Sequence, residues 1–278
     1  MGSEVYQRLH SILCNYPTMY QLLGGDFLRR QCKAELTSCI LKHLAQEGHN
    51  ENLPYLSYME SQLAQLSCFP RFNKLQKALR SPNVHEYYET QIQIEKSIWF
   101  AQHHLLKEIE PELHDKRRSC DMLLSLEEQP IYCEVTSRRF PGVNSKRTAA
   151  QMQRLQKKQP WLPEQEIECQ LETNTLLRSL RYKAKLQLPP TAPGIIVLET
   201  GRAMFFYWQT KDLANKLFAS TSRAPRPHVI LIMLWSGDSG SQMGEAPFWF
   251  VNRNSHFKAI GQALLKYLGQ EHKAVECG

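Results

Sequence analysis

From Cys120 onward, apolar runs of strand length alternate with longer stretches of helical periodicity, and this alternation restricts the possible folds more than any other feature. Asp121 to Leu126 and Ile131 to Thr136 read as two strands, with Glu127 to Pro130 as the polar turn between them. Ile195 to Glu199, Val229 to Leu234 and Phe248 to Val251 follow as further strands. Helices are expected over Leu171 to Leu188, Lys211 to Ala219 and His256 to Leu268, and a loop from Arg138 to Pro163. Strands interleaved with helices bury a sheet on both faces, so the expected class is α/β, with a central mixed sheet flanked by helices.

The preceding residues have a different character. From Val5 to about Arg80 apolar positions recur at helical spacing in short runs, such as Leu28, Cys32, Leu36, Ile40 and Leu44, broken at Pro54 and Pro70. Ser81-Pro82-Asn83 then opens a longer helical stretch reaching about Glu110, with Ser81 as N-cap, Pro82 at the first helical position and Pro111 as the stop. Tyr88, Ile92, Ile98 and Leu105 are expected to face a core. The expected organisation is an N-terminal helical region over 1–80 and an α/β domain over 81–278, within the reach of a chain of 278 residues.

Charge narrows the class of partner. The net charge is +7, and the interval from Val135 to Pro163 has no acidic residue yet carries Arg138, Arg139, Lys146, Arg147, Arg154, Lys157 and Lys158. That one segment equals the excess of the whole chain and suits a polyanion such as nucleic acid, DNA ahead of RNA. The first 30 residues mix charged and polar side chains with apolar ones, and no later run approaches the ~20 apolar residues that span a bilayer, so no membrane partner is expected. Eight cysteines without zinc spacing are expected to be reduced thiols, which fits a cytoplasmic chain.

The strand pair carries the chemistry. With Leu126 opposite Ile131, Leu123 meets Glu134 and Asp121 meets Thr136; these four side chains share one face, and Met122, Leu124, Cys133 and Val135 the other. Asp121 and Glu134 then become diagonal neighbours roughly 7 to 8 Å apart. Two hard carboxylates suit Mg²⁺ or Mn²⁺. The plainer alternative has Asp121 merely beginning a strand and Glu134 on a solvated edge. Two features favour the metal reading: Glu134 interrupts an apolar strand, and the acid-free basic stretch begins just after it.

Cys120-Asp121-Met-Leu-Leu, followed by Glu134-Val-Thr136, resembles the PD-(D/E)XK nuclease superfamily, whose core is restriction-endonuclease-like. Arg181-Tyr-Lys183-Ala-Lys185-Leu-Gln187 with the strand at Gly194 to Leu198 resembles its second core helix and the strand after it, and the likeness spans about Tyr87 to Gly269. The resemblance implies a metal held by Asp121, Glu134 and the Val135 carbonyl, with Glu95 as a third acid ahead of Glu89 and Glu108. Cys120 stands where the family has proline, and Thr136 stands where it has a lysine that helps activate water. A hydroxyl cannot replace an ammonium, so the resemblance assigns that part to a lysine from the neighbouring helix: Lys183, with Gln187 four residues on, and Lys185 next. A solvated Lys183 and a surface Glu95 paired with a lysine are the plain alternatives.

Two functions of different class follow. One is a metal-dependent nuclease hydrolysing DNA or RNA; the other is an inactive nuclease-like fold serving as a nucleic-acid-binding or assembly module in a larger complex, with the N-terminal helical region docking a protein partner. Trp161, Phe140, Arg154 and Lys157 are further candidates for contact with single strands. His103, His104 and His114 read as solvated helix positions, since adjacent helical residues diverge by about 100°. Ser236-Gly-Asp-Ser-Gly240 reads as a turn.

Overall fold

The computed structural model describes residues 2–33, 36–47, 54–113, 120–137, 146–161, 163–199, 207–219, 227–235 and 247–278. Among them are eleven α-helices and seven strands, the strands forming one mixed sheet in the order β1-β2-β3-β4-β5-β6-β7, so the α/β class holds. The chain divides into two compact units, Met1–Pro111 with Asp121–Ser125, and Glu112–Cys120 with Leu126–Gly278. The first therefore extends past residue 80.

The first unit comprises α1 (Gly2–Cys14), α2 (Pro17–Leu23), α3 (Gly25–Lys33), α4 (Cys39–Glu47), α5 (Pro54–Leu66), α6 (Leu75–Leu79), α7 (Val84–Gln102), β1 (Leu106–Ile109) and most of β2 (Met122–Leu126). Its core is built from leucines at helical spacing, among them Leu9, Leu13, Leu28, Leu41, Leu56, Leu63 and Leu79. Caps for α2 come from far along the chain. The Glu60 carboxylate accepts the amides of Thr18 and Met19, both at 2.8 Å, and Arg80 donates to the Leu23 carbonyl at 2.5 Å.

The helix expected to reach Glu110 ends at Gln102, because Leu106–Ile109 leaves helical periodicity to pair antiparallel with β2, Ile109 opposite Met122. The helix begins at Val84; Ser81 Oγ accepts the Asn83 amide at 3.0 Å and donates to Glu86 at 2.5 Å, a capping arrangement displaced from that expected. Tyr88 is exposed rather than core-facing, while Ile94, Ile98 and Phe100 are buried.

The second unit carries β3 (Gln129–Ser137), α8 (Lys146–Lys158), α9 (Glu164–Leu186), β4 (Gly194–Glu199), α10 (Tyr207–Phe218), β5 (Val229–Trp235), β6 (Phe248–Asn252), α11 (Lys258–Tyr267) and β7 (Ala274–Cys277). β3, β4 and β5 run parallel, β6 is antiparallel to β5, and β7 is parallel to β6. Leu176, Leu177, Leu180 and Ala184 of α9 join Leu213, Ala214, Leu217 and Phe218 of α10 against Ile196, Leu198, Ile232, Leu234 and Phe250 of the sheet. α11 covers the opposite face, where Gly261 lies against Leu231. A Cβ on Gly194 would stand 2.8 Å from Leu188 Cδ1, so glycine lets the end of α9 close onto the start of β4.

Two expectations are corrected here. Part of the segment expected as a loop is helix α8, with Met152 and Leu155 half-buried on it. The hairpin turn is Glu127-Glu128 alone, since β3 starts at Gln129; Leu126 therefore stands across the turn from Gln129 rather than Ile131. Both turn residues are left-handed, with φ of 49° and 67°, a conformation that costs L-residues about 1–2 kcal/mol each. Glu127→Asn with Glu128→Gly suits this turn and is expected to raise stability by about 1 kcal/mol in urea denaturation.

Candidate active site

Backbone pairing sets the face of each residue on β3. Glu134 is in register with Ile196 and Thr136 with Leu198, whereas Cys133 and Val135 match Ile195 and Val197. Registered neighbours in a sheet share a face, so Glu134 and Thr136 lie on the side covered by α9 and α10. Both are buried, Thr136 at 2% exposure and the Glu134 side chain also at 2%. A carboxylate in that position needs a cation, because removing it from water unpaired costs far more than local adjustment returns.

Lys183 supplies the cation. It lies on α9 beside the buried positions Leu180 and Ala184, and its ammonium donates to Glu134 Oε1 and, at 2.8 Å, to the Val135 carbonyl. Its side chain is 17% exposed, so the pair is shielded from bulk screening. The structure thus brings together Glu134, the Val135 carbonyl and Lys183, three of the expected positions. Lys183 is not the solvated residue of the plain alternative.

Each of the other expected residues has its own local setting. Gln187 sits at the C-cap of α9 with its amide on the Lys183 carbonyl at 2.9 Å, and its Oε1 is buried without a hydrogen-bond partner among the described residues. Lys185 is exposed on α9. Asp121 belongs to the first unit, where its carbonyl accepts the Glu110 amide at 2.9 Å and Gln93 Nε2 at 3.2 Å. Burial raises the Glu110 carboxyl above its ordinary range, and the Asp121 charge adds to the rise. Glu95, on α7, lies 3.9 Å from the Lys96 ammonium, and Glu108 lies 3.5 Å from Arg71. Among the described residues, no group of three or more His, Cys, Asp or Glu side chains is placed to hold a metal ion.

Of the basic residues, Arg154, Lys157 and Lys158 are exposed on α8, and Trp161 beyond it is 74% exposed. Lys146 and Arg147 open α8, where only their backbone is described. Arg138, Arg139, Phe140, His114 and Ser236 to Gly240 lie outside the described residues. His103 bonds through Nδ1 to the Trp99 carbonyl at 2.8 Å and packs its ring 4.2 Å from Trp99, which ties it to its own helix.

Sequence reasoning missed Glu199, 6% exposed at the end of β4 in register with Ser137 and Trp235. The signal was available, since Glu199 closes an apolar run much as Glu134 interrupts one. Alternation places it on the face opposite Glu134, so it adds no ligand there. A cavity of about 460 Å³ lined by Val251, Gln262, Leu265, Lys266 and Glu276 adjoins α11, away from the α9 face that carries Glu134.

No family model, curated protein or solved structure matches this chain.

Removing the lysine should expose the electrostatics directly. Lys183→Met leaves a buried carboxylate without its ammonium and is expected to cost about 3–5 kcal/mol in urea denaturation, while Glu134→Gln combined with Lys183→Met recovers most of the loss. In the first unit, the raised carboxyl of Glu110 contributes stability that is present below its unfolded-state pKa and lost as pH rises through the folded-state value. Glu110→Gln is therefore expected to flatten the fall in stability on that acidic limb, as measured by denaturation across pH 4 to 7.

Proposed function

We propose that the second unit carries a metal-dependent phosphodiesterase site acting on DNA or RNA, DNA foremost, built around Glu134 and Lys183. The observation that carries this reading is the Lys183 ammonium, which reaches Glu134 and the Val135 carbonyl from the neighbouring helix. The resemblance to PD-(D/E)XK nucleases demands a lysine beside that acid once Thr136 has taken the usual place, and Lys183 meets the demand.

The donor chemistry fits a hard cation. A carboxylate oxygen of Glu134 and the Val135 carbonyl would hold Mg²⁺ or Mn²⁺; such ions take few protein oxygens and complete their shell with water and phosphate. When bound, the ion supplies charge neutralisation at the phosphate and a water of lowered pKa. Lys183 provides a fixed positive charge where negative charge develops, and the buried setting strengthens it. Gln187, at the end of the same helix, orients the attacking water or a phosphate oxygen.

A second reading is favoured by the extent of the pairing. Lys183 already engages both oxygens, so the ammonium can serve as an internal cation that leaves Glu134 neutralised with no metal, and the fold then acts as a nucleic-acid-binding or assembly module.

Cleavage of supercoiled plasmid and of a single-stranded oligonucleotide with Mg²⁺ or Mn²⁺ separates the two. The parent is expected to cut, with Glu134→Ala losing at least about a hundredfold and Lys183→Ala about a hundredfold. Cutting by Glu134→Ala at the parental rate would overturn the enzymatic reading. Absence of cutting, with no heat of Mn²⁺ binding in calorimetry, would leave the module.

A further inference from the structure

We propose that the solvent face of the C-terminal half of α9 is a track for single-stranded nucleic acid, with Arg178, Arg181 and Lys185 on phosphates and Tyr182 stacking on an unpaired base. The proposal rests on nucleic acid being the ligand, as above, but not on cleavage. Positions 178, 181, 182 and 185 recur at the spacing of one helical face, and all four are exposed, Tyr182 at 59%. The opposite side of the helix carries Leu177, Leu180 and Ala184 into the core. This face is therefore held toward solvent by packing.

Its charge is of one sign. No acidic residue occurs from 173 to 198, while Glu164, Glu166, Glu168 and Glu172 all fall in the first half of the helix. Among the described residues Arg178 and Lys185 have no carboxylate partner, and Arg181 spends one donor on the Lys216 carbonyl at 3.4 Å, keeping its charge. On α10 nearby, Lys216 and Asp212 neutralise each other at 2.5 Å. α8, packed on α9, adds the exposed Arg154, Lys157 and Lys158.

Cations near a helix C-terminus also offset the helix dipole, and that alone accounts for some of the charge. It does not account for an exposed aromatic ring set among them, with exposed Leu186 beside it. Arg178 and Lys185 stand about 10 Å apart along the axis, so the row meets more than one phosphate. Bases in a duplex are already stacked and hide their faces; only an unpaired base can lie on Tyr182, which selects the single strand.

The test uses the full chain with EDTA present and fluorescence anisotropy of labelled oligo(dT), oligo(U) and a duplex of equal length. Either single strand is expected to bind more tightly than the duplex. Arg178→Glu with Lys185→Glu should weaken binding at least tenfold and flatten its salt dependence. Tyr182→Ala should weaken it about tenfold, with Tyr182→Phe restoring it, while circular dichroism confirms that each variant is folded. Equal affinity for duplex, no binding by the parent, or folded variants that bind as the parent does would each overturn the track. Binding by a parent that cuts nothing in Mn²⁺ sinks only the nuclease reading, and cutting that Tyr182→Ala and the double variant leave untouched sinks only the track.

Discussion

A lysine ammonium held against a buried carboxylate governs the second unit. Glu134 occupies a position that strand alternation turns toward a helix-covered face, among Ile196 and Leu198 and the apolar residues of α9 and α10. An isolated charge there would be intolerable; paired with Lys183 and the Val135 carbonyl, it becomes a fixed joint between strand and helix. The joint also fixes how α9 is rotated. With Lys183 turned inward, Arg178, Arg181, Tyr182 and Lys185 are turned outward, so the buried pair and the exposed basic face are two consequences of one helix orientation.

The chemistry of the joint is that of a cation site. A carboxylate oxygen and a backbone carbonyl are hard donors able to accept either an ammonium or a divalent ion, and the two would compete for the same lone pairs. Under the proposed function, Lys183 yielding those oxygens to a divalent ion corresponds to the enzyme, and Lys183 keeping them to the binding module. The competition is set by desolvation. A side chain shielded as Glu134 is holds whichever cation leaves the fewest charges uncompensated.

The first unit solves a different problem with the same economy. Its helices are short, and short helices in water are marginal without tertiary support. α2 spans only Pro17–Leu23, and its exposed amides and carbonyls are taken by Glu60 and Arg80 from distant parts of the chain. Arg80 also stacks on Phe27 at 5.0 Å, and its burial lowers the affinity of the guanidinium for its proton. Capping by distant residues couples the helices into one bundle, so the ends of one helix depend on the placement of others.

Local periodicity by itself determined the α/β class, the strands around Glu134, Ile196, Ile232 and Phe250, the helix bearing Lys183, and the common face of Glu134 and Thr136. Each of these depends on spacing within a few residues. The four-residue strands β1 and β7 were not legible, because they are too short to show a period and exist through pairing with β2 and β6. Nor was α8, whose apolar side is only half-buried, or the turn at Glu127-Glu128, where pairing of the flanking strands imposes a backbone that glutamate does not favour. The spacing of Lys183 made it a candidate, yet only the landing of α9 on β3 decided that its ammonium meets Glu134 rather than water. A side chain's partner across 49 residues is set by how two elements pack, and no local pattern encodes that.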